Sequence, residues 1–141
     1  MHWQSFVIAA LLPAVAFPSL AATGTSLYQR LGGMAQITSI VDTTIDRTSG
    51  DPRTRRSFEG IRLAPVKESV AQHLCALTGG PCRYEGANMA DAHRGLAITA
   101  EEFDIMDGYL AEELDARGVA AEDKAALQKL LGPMKADVTG K

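Results

Sequence analysis

Residues 78–99 read TGGPCRYEGANMADAHRGLAIT, and they decide how the helices of this chain are connected. Residues 78–81 (TGGP) end the preceding helix, because Gly and Pro just past a periodic segment are a strong C-terminal signal. Residues 82–88 have the composition of a loop, and residues 89–93 have room only for a short helix before Gly95. A compact domain seldom tolerates so long an irregular connection unless it serves a function.

Three helical segments precede this stretch. Residues 26–29 (SLYQ) have the form of a capping box, and the short helix that they open ends at Gly32. The next segment carries residues at helical spacing on one face: Ile37, Ile40, Val41, Thr44 and Ile45. A longer helix that we predict to begin at Pro65 carries a second such face: Val66, Val70, His73, Leu74 and Leu77.

Two further helices follow the stretch. Residues 99–102 (TAEE) form a second capping box. Behind it, apolar residues continue at helical spacing until Gly118: Phe103, Met106, Leu110 and Leu114. The last helix covers residues 122–131. No segment alternates apolar and polar residues as a half-buried strand would, so we predict an all-α domain.

The composition suggests that the core is incomplete without a cofactor. Aromatic residues make up only 6% of the 141 residues, which leaves few large side chains to fill a core. A large apolar cofactor packed between the helices would supply the missing volume. It would also order the irregular segment 82–98.

The N-terminal segment differs from the rest of the chain. Residues 7–17 are almost wholly apolar, and the small residues at Ala21 and Ala22 suit a secretory signal cleaved after either of them. An uncleaved N-terminal anchor at the membrane is the alternative, because no Lys or Arg precedes the apolar run. We therefore expect residues 1–22 to be a signal peptide, residues 23–141 to be one domain, and the protein to be periplasmic or secreted.

The charge distribution gives no reason to expect a nucleic-acid partner. The formal net charge is −3, and Arg53, Arg55 and Arg56 form the one short basic cluster. We interpret this cluster as a solvated corner rather than a binding patch.

The two cysteines, Cys75 and Cys82, stand seven positions apart. In an oxidising compartment they would pair and tie the end of one helix to the following loop. Alternatively, Cys75 is an ordinary buried thiol. They do not make a four-ligand zinc site by themselves, because only two histidines remain once the N-terminal segment is removed.

The sequence lacks the motifs of the common enzyme classes. It has no Gly-rich nucleotide loop after a strand and no His-x-x-x-His pair, and no nucleophile motif lies near His73 or His93. A lone histidine at the end of a short helix, as His93 is, usually lies on the surface or packs in a core. The sequence around His93, however, favours a functional role for this residue.

Three segments in order carry a specific resemblance. Residues 27–33 (LYQRLGG), 78–89 (TGGPCRYEGANM) and 92–103 (AHRGLAITAEEF) resemble the opening, the second glycine motif and the proximal segment of group I truncated haemoglobins. The resemblance extends from about Ser26 to Val138 and needs no insertion between the segments.

The resemblance implies a truncated globin domain, a two-over-two helical sandwich around haem b. His93 falls at the proximal position, where neutral imidazole is the usual ligand to the iron. Phe58 matches the aromatic residue that globins place against the haem face. Lys67 lies where it would reach a haem propionate, or else solvent. The other expected cofactor contacts are Ile98, Phe103 and Met106 on the proximal wall, and Val66, Val70 and Leu74 on the distal helix.

The sequence departs from the family on the distal side. Many group I members have a Tyr on the second helix and a Gln on the distal helix, and these donate hydrogen bonds to bound oxygen. The corresponding residues here are Ile45 and Val70, with Val66 at the entrance, and none can donate such a bond. Thr44 is the nearest donor, if the register of that helix shifts by one residue.

The resemblance implies reversible binding of a diatomic gas (O₂, CO or NO) for transport, storage or sensing, with a reductase to keep the iron ferrous. The alternatives are an NO dioxygenase or peroxidase-like enzyme, or an electron-transfer protein in which His73 also ligates the iron. We expect His73 to line the pocket near the haem edge, since helical geometry places it about two turns past Val66. An apolar distal side favours the binding protein over the enzyme.

Overall fold

The computed structural model describes residues 24–141, so the predicted signal segment lies outside the described residues. The α-helices of this range are α1 (Leu27–Arg30), α2 (Gly33–Gly50), α3 (Leu63–Leu77), α4 (Met89–Ala92), α5 (Ala100–Ala116), α6 (Ala121–Leu131) and α7 (Lys135–Val138). Two 3₁₀ helices cover Arg55–Phe58 and Gly132–Met134. Residues 24–141 form no β-strand, only one isolated bridge, and the all-α prediction is confirmed. None of the helices described is long and apolar enough to cross a bilayer.

Side-chain caps mark the starts of α1, α4 and α5, whereas α2, α3 and α6 begin without one. Both capping boxes form: the Ser26 hydroxyl accepts from the Gln29 N–H, the Thr99 hydroxyl accepts from the Glu102 N–H, and each side chain in the third position reaches back. The largest difference between a predicted and an observed helix start is at α3, which begins at Leu63 rather than Pro65. Proline fits the first turn of a helix because the N–H groups there have no intrahelical acceptor.

Helix α2 is the centre of the packing, because it contacts both α3 and α5. The five residues predicted for its inner face are all buried. Four of them belong to the buried apolar core, which consists of Leu31, Ile37, Ile40, Val41, Ile45, Ala71, Leu74, Leu110, Leu114 and Leu127.

The glycine motif after α3 allows a close approach to α1. A Cβ atom on Gly80 would lie 2.5 Å from Tyr28 Cδ2 and 2.6 Å from Cys75 Sγ, so only glycine fits there. Cys75 is joined to Cys82 by a disulfide, which fastens the start of the irregular segment to the end of α3. Of the two readings of the cysteines, the structure therefore shows the pair.

The C-terminal end of the chain returns to the segment that follows α4. The last helix ends at Leu131 as predicted, but helical turns continue to Val138, which is buried. Residues Ile98 and Thr139 form the isolated parallel bridge, and the Ala97 N–H donates to the Lys141 carbonyl at 2.9 Å. The irregular segment is thus held at both of its ends.

Candidate functional site

A large cavity of about 470 Å³ lies between the helices of residues 24–141. Its walls come from α2, α3, α5, the 3₁₀ helix Arg55–Phe58, the irregular segment and the C-terminal turns. Most of the lining side chains are apolar, and the volume falls in the range of small-molecule and cofactor sites. Nine of the ten cofactor-binding residues predicted from the sequence line it: Phe58, Val66, Val70, His73, Leu74, His93, Ile98, Phe103 and Met106.

His93 is aimed by the short helix that precedes it. Asn88 caps α4, with its side-chain oxygen accepting from the Asp91 N–H at 2.9 Å, and His93 follows the last helical residue as the C-cap. The ring lies in the cavity wall, and its Nδ1 is 2.8 Å from the Met89 carbonyl oxygen.

This contact fixes which nitrogen of the neutral His93 ring carries the proton. A carbonyl oxygen only accepts, so Nδ1 must carry the proton, and in the neutral ring Nε2 then keeps its lone pair. Metal-ligating histidines are usually oriented in this way, by a carbonyl that accepts from the second ring nitrogen. Sequence reasoning expected such an acceptor without identifying it; the structure shows that it is the carbonyl four residues earlier in the same helical turn.

An ion pair between a half-exposed arginine and a buried glutamate holds the segment that follows His93. The Arg56 guanidinium donates to the carbonyls of Leu96 and Ala97 and lies 2.5 Å from the Glu102 carboxylate. Burial raises the pKa of the Glu102 carboxyl, but the hydrogen bonds from Thr99 and Arg56 outweigh it, so that the pKa lies below its usual value. Arg56, one of the three arginines of the basic cluster, therefore has a structural role, because it holds the segment that follows His93.

Lys67 is the one predicted contact that is not among the cavity-lining residues. Its ammonium group lies 2.7 Å from the Asp46 carboxylate, so it bridges α3 to α2. A contact between Lys67 and a haem propionate stays a prediction.

His73 lies in the cavity wall but is engaged by a neighbouring ring. Its imidazole stacks on the Tyr84 ring, with the centroids 4.3 Å apart and the planes 15° from parallel. Burial lowers the pKa of His73, which favours the neutral ring. The Tyr84 hydroxyl in turn donates to the Ala87 carbonyl at 2.7 Å, so the aromatic pair is tied to the irregular segment.

Two buried hydroxyl groups in the cavity wall have no hydrogen-bond partner among residues 24–141. They belong to Thr44 on α2 and to Ser57 on the 3₁₀ helix. Thr44 and Ile45 both line the cavity, so Thr44 reaches it without the register shift that the sequence analysis required.

Several lining residues were missed by sequence reasoning. Among them are Tyr84, Glu102, Asp107, Leu131, Met134 and Val138. Asp107 is a half-buried carboxyl whose pKa is raised by burial and by the neighbouring Asp104. Leu131 was visible in the helical periodicity. Tyr84, Met134 and Val138 reach the cavity through contacts between distant segments, for which the local sequence carries no signal.

The residues of the cavity fit haem. A flat apolar group needs apolar walls on both faces, one aimed imidazole and an aromatic contact, and the cavity offers these in its lining, His93 and Phe58. The lining also includes the two hydroxyl groups, of Thr44 and Ser57, that have no partner among residues 24–141. Fold and cavity together define a small helical globin with a haem site.

Comparison with known proteins agrees with this class. Residues 26–140 match the family described as bacterial-like globin. The group 1 truncated hemoglobin GlbN of Nostoc sp. (strain MUN 8820) is 33% identical over 107 residues, which cover 75% of this chain and 91% of that protein. The crystal structure of truncated hemoglobin from Tetrahymena pyriformis, in the Fe(III) form, has a TM-score of 0.78 at 26% identity. The match covers 83% of this chain and all of that one.

A second solved structure gives a similar result. The 2/2 hemoglobin from Synechococcus sp. PCC 7002, described with covalently attached heme, has a TM-score of 0.77 at 25% identity, covering 83% of this chain and 100% of that chain. The chain therefore belongs to the bacterial-like globins, as a group I truncated haemoglobin with the two-over-two fold. Its cofactor is haem.

Proposed function

We propose that this globin binds a diatomic gas reversibly, on haem held by His93, for transport, storage or sensing. The observation that carries the proposal is the His93 ring, whose Nδ1 is engaged by the Met89 carbonyl and whose Nε2 is left free at an apolar cavity. Haem, when bound, supplies the iron that takes the gas. The protein orients the imidazole, surrounds the site with apolar side chains and excludes water from it.

The distal residues set the expected ligand preference. Ile45, Val66 and Val70 line the cavity where relatives with Tyr and Gln place two hydrogen-bond donors. Donors in a dry pocket favour a ligand that gains negative charge on binding, because charge-assisted bonds count for more there. Oxygen should therefore leave faster, and the iron should oxidise more easily, than in such relatives. CO and NO, which carry less charge when bound, should be affected less.

Rapid-mixing measurement of oxygen release tests this preference. We expect fast release in the wild type. We expect release about tenfold slower or more in Val70→Gln, which restores a donor, because a hydrogen bond to a charged group contributes about 1.5–3 kcal/mol. Val70→Leu is the matched control, since it fills the same space without a donor. A slowly dissociating oxygen complex in the wild type would contradict the proposal.

We also propose that the protein works outside the cytoplasm, after removal of residues 1–22. The Cys75–Cys82 disulfide supports this, because such bonds persist in oxidising compartments and are rare where thiols are kept reduced. Expression of the full chain in a bacterial host, followed by fractionation and mass spectrometry, tests it. The expected product is a periplasmic chain that begins at Ala22 or Thr23. An unprocessed chain in the membrane fraction would favour the N-terminal anchor. A reductant at the same location would keep the iron ferrous.

A further inference from the structure

Thr44 occupies the middle of the α2 face that forms one wall of the cavity. The lining residues of this helix are Val41, Thr44, Ile45 and Thr48, at the spacing of one helical face. Thr44 is only 3% exposed, and its hydroxyl has no hydrogen-bond partner among the described residues. The Thr44 hydroxyl therefore has only the cavity and apolar side chains around it.

Neighbouring threonines show that this is not the usual arrangement in the helix. The Thr43 hydroxyl donates to the Ser39 carbonyl at 3.2 Å, and the Thr48 hydroxyl donates to the Thr44 carbonyl at 2.7 Å. Both use the carbonyl four residues earlier, which is the common local partner of a helical threonine. Thr44 makes no such bond, so its hydroxyl stays available to a group outside its own helix.

A buried hydroxyl without a partner is costly, and proteins rarely keep one unless something else satisfies it. Ser57 Oγ is a second such atom in the same wall. Thr44 is the more deeply buried of the two residues, and it directly precedes Ile45, which the family resemblance aligns with the Tyr donor of relatives. A molecule bound in the cavity is the remaining candidate for the hydrogen-bond partner of the Thr44 hydroxyl.

We propose that the Thr44 hydroxyl is the hydrogen-bond donor to the gas ligand in this globin, and that it sets the preference for oxygen over CO. This inference rests on the proposed function, because it needs a ligand held across the cavity from His93. One small hydroxyl replaces the Tyr and Gln pair of relatives. Oxygen release is then slower than in a pocket without any donor, and faster than in those relatives.

The test compares Thr44→Val with Thr43→Val in the haem-loaded protein, because Thr43 lies on the same helix and is not among the residues that line the cavity. Valine keeps the β-branched shape of threonine and removes only the hydroxyl. Thr44→Val should raise the infrared stretching frequency of bound CO and speed oxygen release by about tenfold, the factor that corresponds to roughly 1.4 kcal/mol. The Thr43 hydroxyl donates to the Ser39 carbonyl, so Thr43→Val should change neither value. Equal values for Thr44→Val and wild type, or a shift in Ser57→Ala alone, would overturn the assignment.

The haem-free protein supplies a readout that does not depend on gas binding. Thr44→Val should leave its melting temperature unchanged or raise it, because no internal hydrogen bond is lost. A clear fall, as expected for Thr48→Val, would show that Thr44 is structural and would overturn the proposal. Haem absorption in the wild type separates failure of the proposed function from failure of the Thr44 assignment. If haem does not bind, the proposed function fails. If haem and CO bind normally but the CO frequency and the rate of oxygen release are the same in Thr44→Val and wild type, only the Thr44 assignment fails.

Discussion

Two histidines line the cavity, and their ring contacts give them different roles. His93 uses Nδ1 on the Met89 carbonyl and leaves Nε2 free, whereas the face of the His73 ring is covered by Tyr84. Because Tyr84 is itself tied to the Ala87 carbonyl, release of His73 toward the iron would require rearrangement of the irregular segment. The electron-transfer alternative, which needs His73 as a second ligand, is therefore the less favoured function.

The spin state of the reduced protein tests the role of His73. We predict a high-spin ferrous spectrum without added ligand, since only His93 then ligates the iron, and the same spectrum in His73→Ala. The measurement is visible absorption after anaerobic reduction. A low-spin wild type that becomes high-spin in His73→Ala would show instead that His73 is the sixth ligand.

Glu102 gives the fold a pH dependence whose sign follows from its contacts. Its folded-state pKa lies below the unfolded value, so its ionised form stabilises the fold above about pH 4.3. This contribution is lost as the pH falls through the folded pKa. Glu102→Gln should lower the free energy of unfolding at pH 7 by about 2 kcal/mol, as expected for hydrogen bonds to a charged group.

Urea unfolding of wild type and Glu102→Gln at a series of pH values measures this effect. The difference between the two proteins should shrink steadily below about pH 4. Glu101→Gln is the matched control, because Glu101 is the exposed neighbour on the same helical turn. A difference that stays constant from pH 7 to pH 3 would contradict the assignment.

At the scale of elements, the join between α3 and the irregular segment organises one side of the site. The disulfide fastens Cys82 to α3 seven residues after Cys75, and Tyr84 follows two residues later to stack on His73. Gly80 allows the same turn to pack against Tyr28. A long connection is thereby kept ordered beside the cavity.

Removal of the disulfide should destabilise the protein by about 2.5 kcal/mol, the chain-entropy value for a closed loop of this size. The comparison is between wild type and the double variant Cys75→Ser, Cys82→Ser in urea, with and without a reductant. Reductant should bring the wild type to the stability of the double variant and leave the variant unchanged. Equal stability of all four samples would show that the bond does not constrain the fold.

The helices could be predicted from the sequence because their signals are local. The capping boxes at Ser26 and Thr99 and the glycine ends needed only neighbouring residues, and all of them form in the structure. The start of α3 was placed two residues late, since Pro65 is compatible with any position of the first turn. The turns beyond Leu131 were missed, because Gly132 and Pro133 normally end a helix.

At the scale of the whole molecule, the site is formed by segments that are far apart in sequence. Periodicity and the family resemblance identified His93, Phe58 and the α3 face. They did not identify Tyr84 or Val138, whose positions depend on how the irregular segment and the C-terminal end pack. The free hydroxyl of Thr44 also required the structure, since a helical threonine usually bonds its own backbone.

Gas binding by this globin requires His93 as the iron ligand, and haem retention in His93→Ala tests that role. Wild type, His93→Ala and His73→Ala are each reconstituted with haemin, and the Soret absorption is recorded before and after transfer to an excess of apomyoglobin as haem acceptor. We expect a stable Soret band in the wild type and in His73→Ala. We expect a band that is lost or altered in His93→Ala. An unchanged spectrum in His93→Ala would contradict this role of His93.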